Sequence, residues 1–485
     1  MTHSRRTLLS ATTGTLAVLV AFTAPLANLN QTAAGLDAGP AARTWILSSM
    51  SIGLGAFLLT AGRVADDFGR RRTFVAGALL LAVGSLVAAL TPDVEVFVAA
   101  RVVQGTGGAA VIAAGLGMLA VAFVDPAERA RATGLWGASV GAGIALGPVL
   151  STWLGRWGSW RDVYVVLALA GVVLAATATG CPESRSPHRA RLDVPGVVAL
   201  AGGISALLAG LTEGRGGWDR PLTIGLLAVA VLLLAAFVVV ERRSDHAMID
   251  LGLLRRPAFA AATVAALATG AGIIALLSYV SGFAGLALGL PPTTTAWLML
   301  AWSGPSIVTA VAARRLPQRW TGRARMGLAL AVIGASQLML WGVGTGSGAG
   351  RFVPGLLVAG VASGVLNASL GRESVASVPA GQAGLGSGAN NTARYLGSAL
   401  GVTVVSVVAV PSGPLTNAAL VAGWNRAALV TAAVSLVGAL VVLLVGKRPA
   451  PATVEVRPPT SPKWTSQTRS DRLILLVRVR SSLGT

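Results

Sequence analysis

Fourteen apolar stretches, each long enough to cross a bilayer as a helix, dominate this sequence. They fall near residues 8–29, 43–62, 73–91, 96–122, 132–153, 163–180, 194–212, 221–240, 258–286, 294–313, 326–344, 352–371, 387–410 and 427–446. A bilayer core needs about 20 apolar residues per helix and tolerates only segments whose backbone hydrogen bonds close internally. Only 12% of the 485 residues are charged, about half the share in a soluble domain. That balance excludes a soluble enzyme and a disordered protein. The expected class is an all-α membrane protein.

The formal net charge of +20 needs no nucleic acid, because the cations are scattered between the apolar stretches. With a cytoplasmic N-terminus, the cytoplasmic loops hold 21 arginines and the opposite loops seven. This bias orients the chain and meets anionic lipid. It predicts a multi-pass protein of the cell (inner) membrane with both termini cytoplasmic. A rival reading takes Arg5, Arg6 and the following apolar run as a cleaved signal peptide. The segment from Lys447 carries five prolines between 449 and 462 and is expected to be disordered. Its apolar run 473–477 could lie on the membrane or in solvent.

Chemistry that needs clustered ligands finds none here. One cysteine (Cys181) and three histidines give no structural zinc set, and no haem or iron–sulfur ligand set is visible. There is no phosphate-binding glycine loop for ATP. No cofactor and no catalytic cluster is expected.

The chain echoes itself at a spacing near 253. Trp45 matches Trp297, Gly69-Arg70-Arg71-Arg72 matches Gly322-Arg323-Ala324-Arg325, and Ala145-Leu146-Gly147 matches Ala399-Leu400-Gly401. Two parallel six-helix halves follow, with stretches seven and eight as an insert. Parallel repeats are a transporter architecture with the substrate site between the halves.

Three motifs lie on this frame. Between stretches two and three the chain reads Gly62-Arg63-Val64-Ala65-Asp66-Asp67-Phe68-Gly69-Arg70-Arg71-Arg72. The glycines permit a tight turn and close helix approach, and Asp66 can pair with an arginine or face a helix N-terminus. Stretch four holds Arg101-Val102-Val103-Gln104-Gly105. An arginine inside a membrane helix costs roughly 2.5–3.5 kcal/mol on insertion scales, so it faces an interior with a role or snorkels to the interface. Stretch five holds Gly137, Gly141, Gly143, Gly147 and Pro148, small residues for close packing and a proline for a kink.

The first motif resembles the G-x-x-x-D-x-x-G-R-R loop signature of the major facilitator superfamily. The second is similar to its R-x-x-Q-G signature. The third resembles its antiporter signature, G-x-x-x-G-P-x-x-G-G, with Ser151 and Thr152 in place of the last glycines. Fourteen stretches, Cys181-Pro182-Glu183-Ser184 and Leu211-Thr212-Glu213-Gly214 with Trp218 look like the drug:proton antiporter branch. The resemblance implies a major facilitator fold: bundles at 1–180 and 258–446, a two-helix linker at 181–257 and a tail at 447–485. It implies efflux of amphipathic small molecules by proton antiport, working as a monomer. A specific metabolite carrier with altered or no coupling is the alternative; a sensor or membrane enzyme lacks the domains or ligands it needs.

One position departs from that branch. Thr23 stands where its members usually carry an aspartate a few residues before Asn28, and the first stretch holds no acid. A buried carboxylate is a natural proton carrier and cation site. Its absence favours a neutral or anionic substrate paired with Arg101 or Arg394, the two arginines inside the stretches. Candidate cavity residues are Asn28, Gln31, Gln104, Tyr279, Trp302, Asn367, Asn390, Asn391 and Arg394. Asn28 and Arg101 are the foremost of them. Each polar candidate also reads as an interhelical hydrogen bond.

Overall fold

The computed structural model describes residues 3–186, 193–244, 251–317, 319–409 and 416–445. The expected tail at 447–485, with its run 473–477, lies outside the described residues.

Sixteen α-helices follow one another among the described residues. The first half contains α1 (His3–Thr23), α2 (Pro25–Gly35), α3 (Pro40–Phe68), α4 (Arg70–Leu90), α5 (Val94–Ala122), α6 (Pro126–Trp157) and α7 (Asp162–Ala178). Next come α8 (Val194–Gly214) and α9 (Pro221–Arg243). The second half contains α10 (Pro257–Thr269), α11 (Ala275–Leu288), α12 (Pro292–Ala312), α13 (Gly322–Met339), α14 (Val353–Ala376), α15 (Ala383–Ala409) and α16 (Asn417–Leu444). A π-helical turn, Gly270–Ile274, joins α10 to α11.

Among the described residues, twelve helical segments are long and apolar enough to cross a membrane. Two of the fourteen expected stretches fall short: α7 has 17 residues, and α13 has 18 with Arg323 and Arg325 in its first turn. The loops start helices with ordinary polar chemistry. The Asp93 carboxylate accepts from the N–H groups of Glu95 and Val96 at 2.7 and 3.1 Å, and Asp125 accepts from Ala127 and Glu128 at 2.9 Å each. Such caps satisfy helix-end donors that have no partner within the helix.

Each half has its own apolar core. Phe74, Phe97 and Tyr164 sit in the first, and Phe283, Phe352 and Trp424 in the second. The packing repeats between halves. Helix α3 lies on α5 as α12 lies on α14, and α4 on α7 as α13 on α16. Across the molecule, α3 packs on α15 and α6 on α12. Glycine makes the first of these contacts possible: a methyl group on Gly388 would strike Leu58 O, and one on Gly62 would strike Gly384 O. Helix α8 packs on α3, while α9 packs on α8 and exposes most of its own surface.

Candidate functional site

The loop after α3 forms a latch between the halves. Gly69 has φ +125°, a conformation reserved for glycine, and turns α3 into α4. Asp66 and Arg70 are thereby one helical turn apart, and both are buried. Arg70 donates to Asp66 Oδ1 from Nε at 2.9 Å and from Nη2 at 2.7 Å. Asp66 also accepts from the N–H groups of Gly384 (3.1 Å) and Leu385 (2.8 Å), at the start of α15. Arg70 Nη2 donates to Gly381 O at 2.8 Å. A carboxylate at a helix N-terminus is favoured by the donors left free there and by the helix dipole. One side chain from the first half thus holds the first turn of a second-half helix.

The segment after α7 straps this latch down. Ser186 N donates to Asp66 O at 2.6 Å, and Arg70 N donates to Ser184 O at 2.9 Å. Glu183 accepts from Arg71 N at 3.0 Å and Arg72 N at 3.3 Å, while Arg71 Nη1 reaches Cys181 O at 3.2 Å. The Cys181–Ser184 stretch noted in the sequence therefore belongs to the latch.

Arg101 is fully buried, so it does not snorkel. Its Nη1 donates to Ala21 O at 2.7 Å and to Gln104 Oε1 at 2.5 Å, and Gln104 Nε2 donates to Ser85 Oγ at 2.6 Å. This chain ties α1, α4 and α5 inside the first half. Nε and Nη2 of Arg101 have no hydrogen-bond partner, and its guanidinium lies 5.9 Å from the Tyr164 ring centroid. Gly105 lets α5 meet α3, since a methyl group there would strike Met50 O.

The antiporter-type glycines pack α6 on α1. A methyl on Gly143 would lie 2.6 Å from Leu19 Cβ, and one on Gly147 would strike Thr23 Oγ1. Thr23 donates to Leu19 O at 2.9 Å and approaches Gly143 O at 3.4 Å. Pro148 lies buried within α6 one residue further on.

Between the halves, toward the end opposite the latch, lies a cavity of about 180 Å³. Ser48 on its wall and Asp66 in the latch are 18 residues apart on α3, about 27 Å along the helix. The wall includes Phe22, Thr23, Leu277, Trp302 and Ser398, with Leu208, Thr212 and Arg215 from the end of α8. A smaller cavity of about 30 Å³ shares Phe22, Ile144, Ile274, Trp302 and Ser398 with it and adds Asn367, Arg394 and Tyr395. Trp302 Nε1 donates to Ser363 Oγ at 3.1 Å. Arg394, buried on α15, donates from Nη2 to Asn391 Oδ1. Arg215 Nη2 donates to Ser48 Oγ at 2.8 Å, and its buried Nε has no partner. Among the described residues, Arg215 and Arg394 are the charged groups on these walls; no carboxylate is there.

The structure brings Trp302, Asn367 and Arg394 together, with Asn391 behind Arg394 as its hydrogen-bond partner, and places the other candidates elsewhere. Asn28 Nδ2 donates to Trp160 O at 3.3 Å, while its Oδ1 accepts from Thr32. Gln31 is exposed on α2. Tyr279 stacks 6.3 Å from Trp424 in the second core. Asn390 donates to Ala262 O and Asn391 to Ser387 O, each at 3.0 Å. Polar groups in a membrane interior find helix partners as readily as a cavity. Sequence reasoning missed Arg215 and counted it as a loop cation. Its signal was its position at the end of an apolar helix, beside the Leu211–Gly214 stretch.

Comparison with known proteins fits this geometry. The sequence profile of the Major Facilitator Superfamily matches residues 8–402. The Multidrug resistance protein Stp of Mycobacterium tuberculosis (strain CDC 1551 / Oshkosh) is 30% identical over 369 residues, covering 75% of this chain and 68% of that protein. The Puromycin resistance protein pur8 of Streptomyces alboniger is 29% identical over 371 residues, covering 76% and 74%. The solved structure of the proton:xylose symporter XylE superposes with a TM-score of 0.64 at 14% identity, covering 90% of this chain and 94% of that one.

Proposed function

Because the chain belongs to the major facilitator superfamily, we propose that it exports neutral or anionic amphipathic small molecules by proton antiport. It is a multi-pass membrane transporter of small-molecule substrates, not an enzyme, and its relatives include drug and antibiotic resistance and efflux proteins. The observation that carries the proposal is the cavity between the halves. Its walls are largely apolar; among the described residues Arg215 is its charged group and Arg394 that of the smaller cavity adjoining it, and the Asp66 latch closes the far end. An amphiphile gains from the apolar walls, and an acidic or carbonyl head matches a guanidinium fork.

In this reading the bundles at 1–180 and 258–446 rock about the cavity, with 181–257 as a two-helix insert. Fourteen crossings leave both termini in the cytoplasm of the inner membrane, and one monomer holds the whole path. Gly62, Gly69 and Arg71 shape the latch that Asp66 and Arg70 close. Arg101, Gln104 and Gly105 keep the first bundle rigid, while Gly143, Gly147 and Pro148 form its seam. Thr23 cannot carry a proton as a carboxylate would. Asp66, Asp67 and Glu241 are the buried carboxylates among the described residues. Protonating Asp66 would release Arg70 and the first turn of α15 together, which couples proton uptake to opening. One proton crossing 100 mV supplies about 2.3 kcal/mol, enough for a gradient of nearly fiftyfold.

Thr23 also supports a second reading: a carrier for one metabolite with altered or no proton coupling. Proteoliposomes loaded with a pH dye separate the two. With cationic, neutral and anionic amphiphiles offered in turn, the antiporter gives a pH change with the neutral and anionic classes. Arg394→Ala lowers the anionic response about tenfold. Tracer flux with no pH change overturns antiport in favour of the second reading. A response confined to cations overturns the assigned substrate class.

A further inference from the structure

The latch has a counterpart whose walls hold no carboxylate. On the side of the molecule where α6 meets α12, a cleft of about 460 Å³ opens between the start of α6 and the α12–α13 connection. Five arginines line it: Arg131 from α6, Arg314 and Arg315 after α12, Arg325 from α13 and Arg372 from α14. No acidic residue lines it, and among the described residues none of the five makes an ion pair within 4 Å. Arg325 Nη2 donates to Pro317 O at 3.0 Å, while its Nε is buried without a partner. The neighbouring carboxylate, Glu373, packs against Gly322 outside the cleft wall and lies near Arg325 and Arg372, so it offsets part of their charge. The repeat of 253 places Arg319 where Asp66 stands in the first half. Where the first gate seats a carboxylate inside its seam, the second surrounds an open cleft with five arginines and has Glu373 behind them.

We propose that this cleft binds a phosphate-bearing anion. Guanidinium groups present forked donors that match phosphate oxygens two at a time, and five of them in one cleft repel one another until an anion enters. The walls come from both halves, so the bound phosphate ties α6 to α12–α14 as Asp66 ties α3 to α15. The same chemistry is available from an acidic phospholipid headgroup and from a soluble phosphate. The arginine-rich loops put this end on the side where acidic lipids attract basic segments. The site stands apart from the transport cavity and does not depend on what that cavity carries.

Thermal unfolding of the full chain in neutral detergent, followed by tryptophan fluorescence, tests this. The additives are inorganic pyrophosphate, phosphatidylglycerol, phosphatidylcholine and sodium chloride at matched ionic strength. The expected result is a saturable rise in Tm with pyrophosphate or phosphatidylglycerol beyond that with chloride or phosphatidylcholine. The double variant R314Q/R315Q, both positions being exposed, should unfold no earlier than the parent without additive and need at least about tenfold more phosphate for the same rise. A rise with phosphatidylglycerol alone assigns the lipid headgroup; a rise with both assigns a phosphate also taken from solution. Arg185→Gln, an exposed arginine outside the cleft, should keep the parental response. No rise beyond the chloride control, or an equal loss in R185Q, overturns the proposal.

Discussion

The two contacts that join the halves at the latch end occupy equivalent places in the repeat and are built oppositely. Where α3 meets α15, the backbones touch through glycine, and a carboxylate with an arginine sits at the seam. Where α6 meets α12, a methyl group on Gly134 would lie 3.0 Å from Ala310 O, and a cleft with five arginines opens beside it. One seam is close and internally neutralised. The other is looser and keeps an excess of cations around Glu373. Equal helix packing does not oblige equal charge, because helix shape sets the packing whereas a few loop residues set the charge.

The strongest way to break this contrast is to unmake the first seam. Asp66→Ala leaves Arg70 buried without its partner, and breaking such a pair costs about 3–5 kcal/mol. A large fall in Tm and loss of substrate efflux should follow. The double variant D66A/R70A should recover part of the stability, since the orphaned cation is gone; a strictly additive loss would show that the pair is not coupled. Next in size is overpacking. Gly62→Ala forces a methyl onto Gly384 O and should cost about 1–3 kcal/mol. Gly134→Ala meets a milder contact in the looser seam and should cost less. If the two melt alike, the seams do not differ in closeness. The smallest effect belongs to Glu183→Gln at the partly exposed rim, where Arg71 and Arg72 lie 3.6 and 3.8 Å away. A pair in water is worth about 0–1 kcal/mol, so Tm should barely move and raised salt should erase the difference.

Much of the fold was legible because a bilayer accepts so few backbone arrangements. Each apolar stretch corresponds to helix. The latch was legible too, since an acid between two glycines ahead of arginines has few uses in a loop. Its receiver was not: Gly384 lies 318 residues away, on a helix start that nothing local marks. The cavity was the least legible part. In a soluble helix the polar face points to water and fixes the rotation. Here lipid and protein interior are both apolar, so Asn28 and Tyr279 looked as available as Arg394, yet they pack away from the cavity. Arg215 was hidden for the converse reason: it ends an inserted helix whose contact with α3 is not written in the sequence.

The first crossing segment of each half is interrupted partway. In the first half Pro25 starts a new helix after the turn at Ala24. In the second the π turn Gly270–Ile274 loosens the run, with Gly270 against Arg394 O and Gly397. Mechanically these are elbows. A straight rod packed along its length can only tip as a whole, dragging both ends with it. A jointed one lets the limb beside the cavity swing while the other stays bolted to its bundle. As the bundles rock, half a helix on each side can then bend on its own without repacking the core.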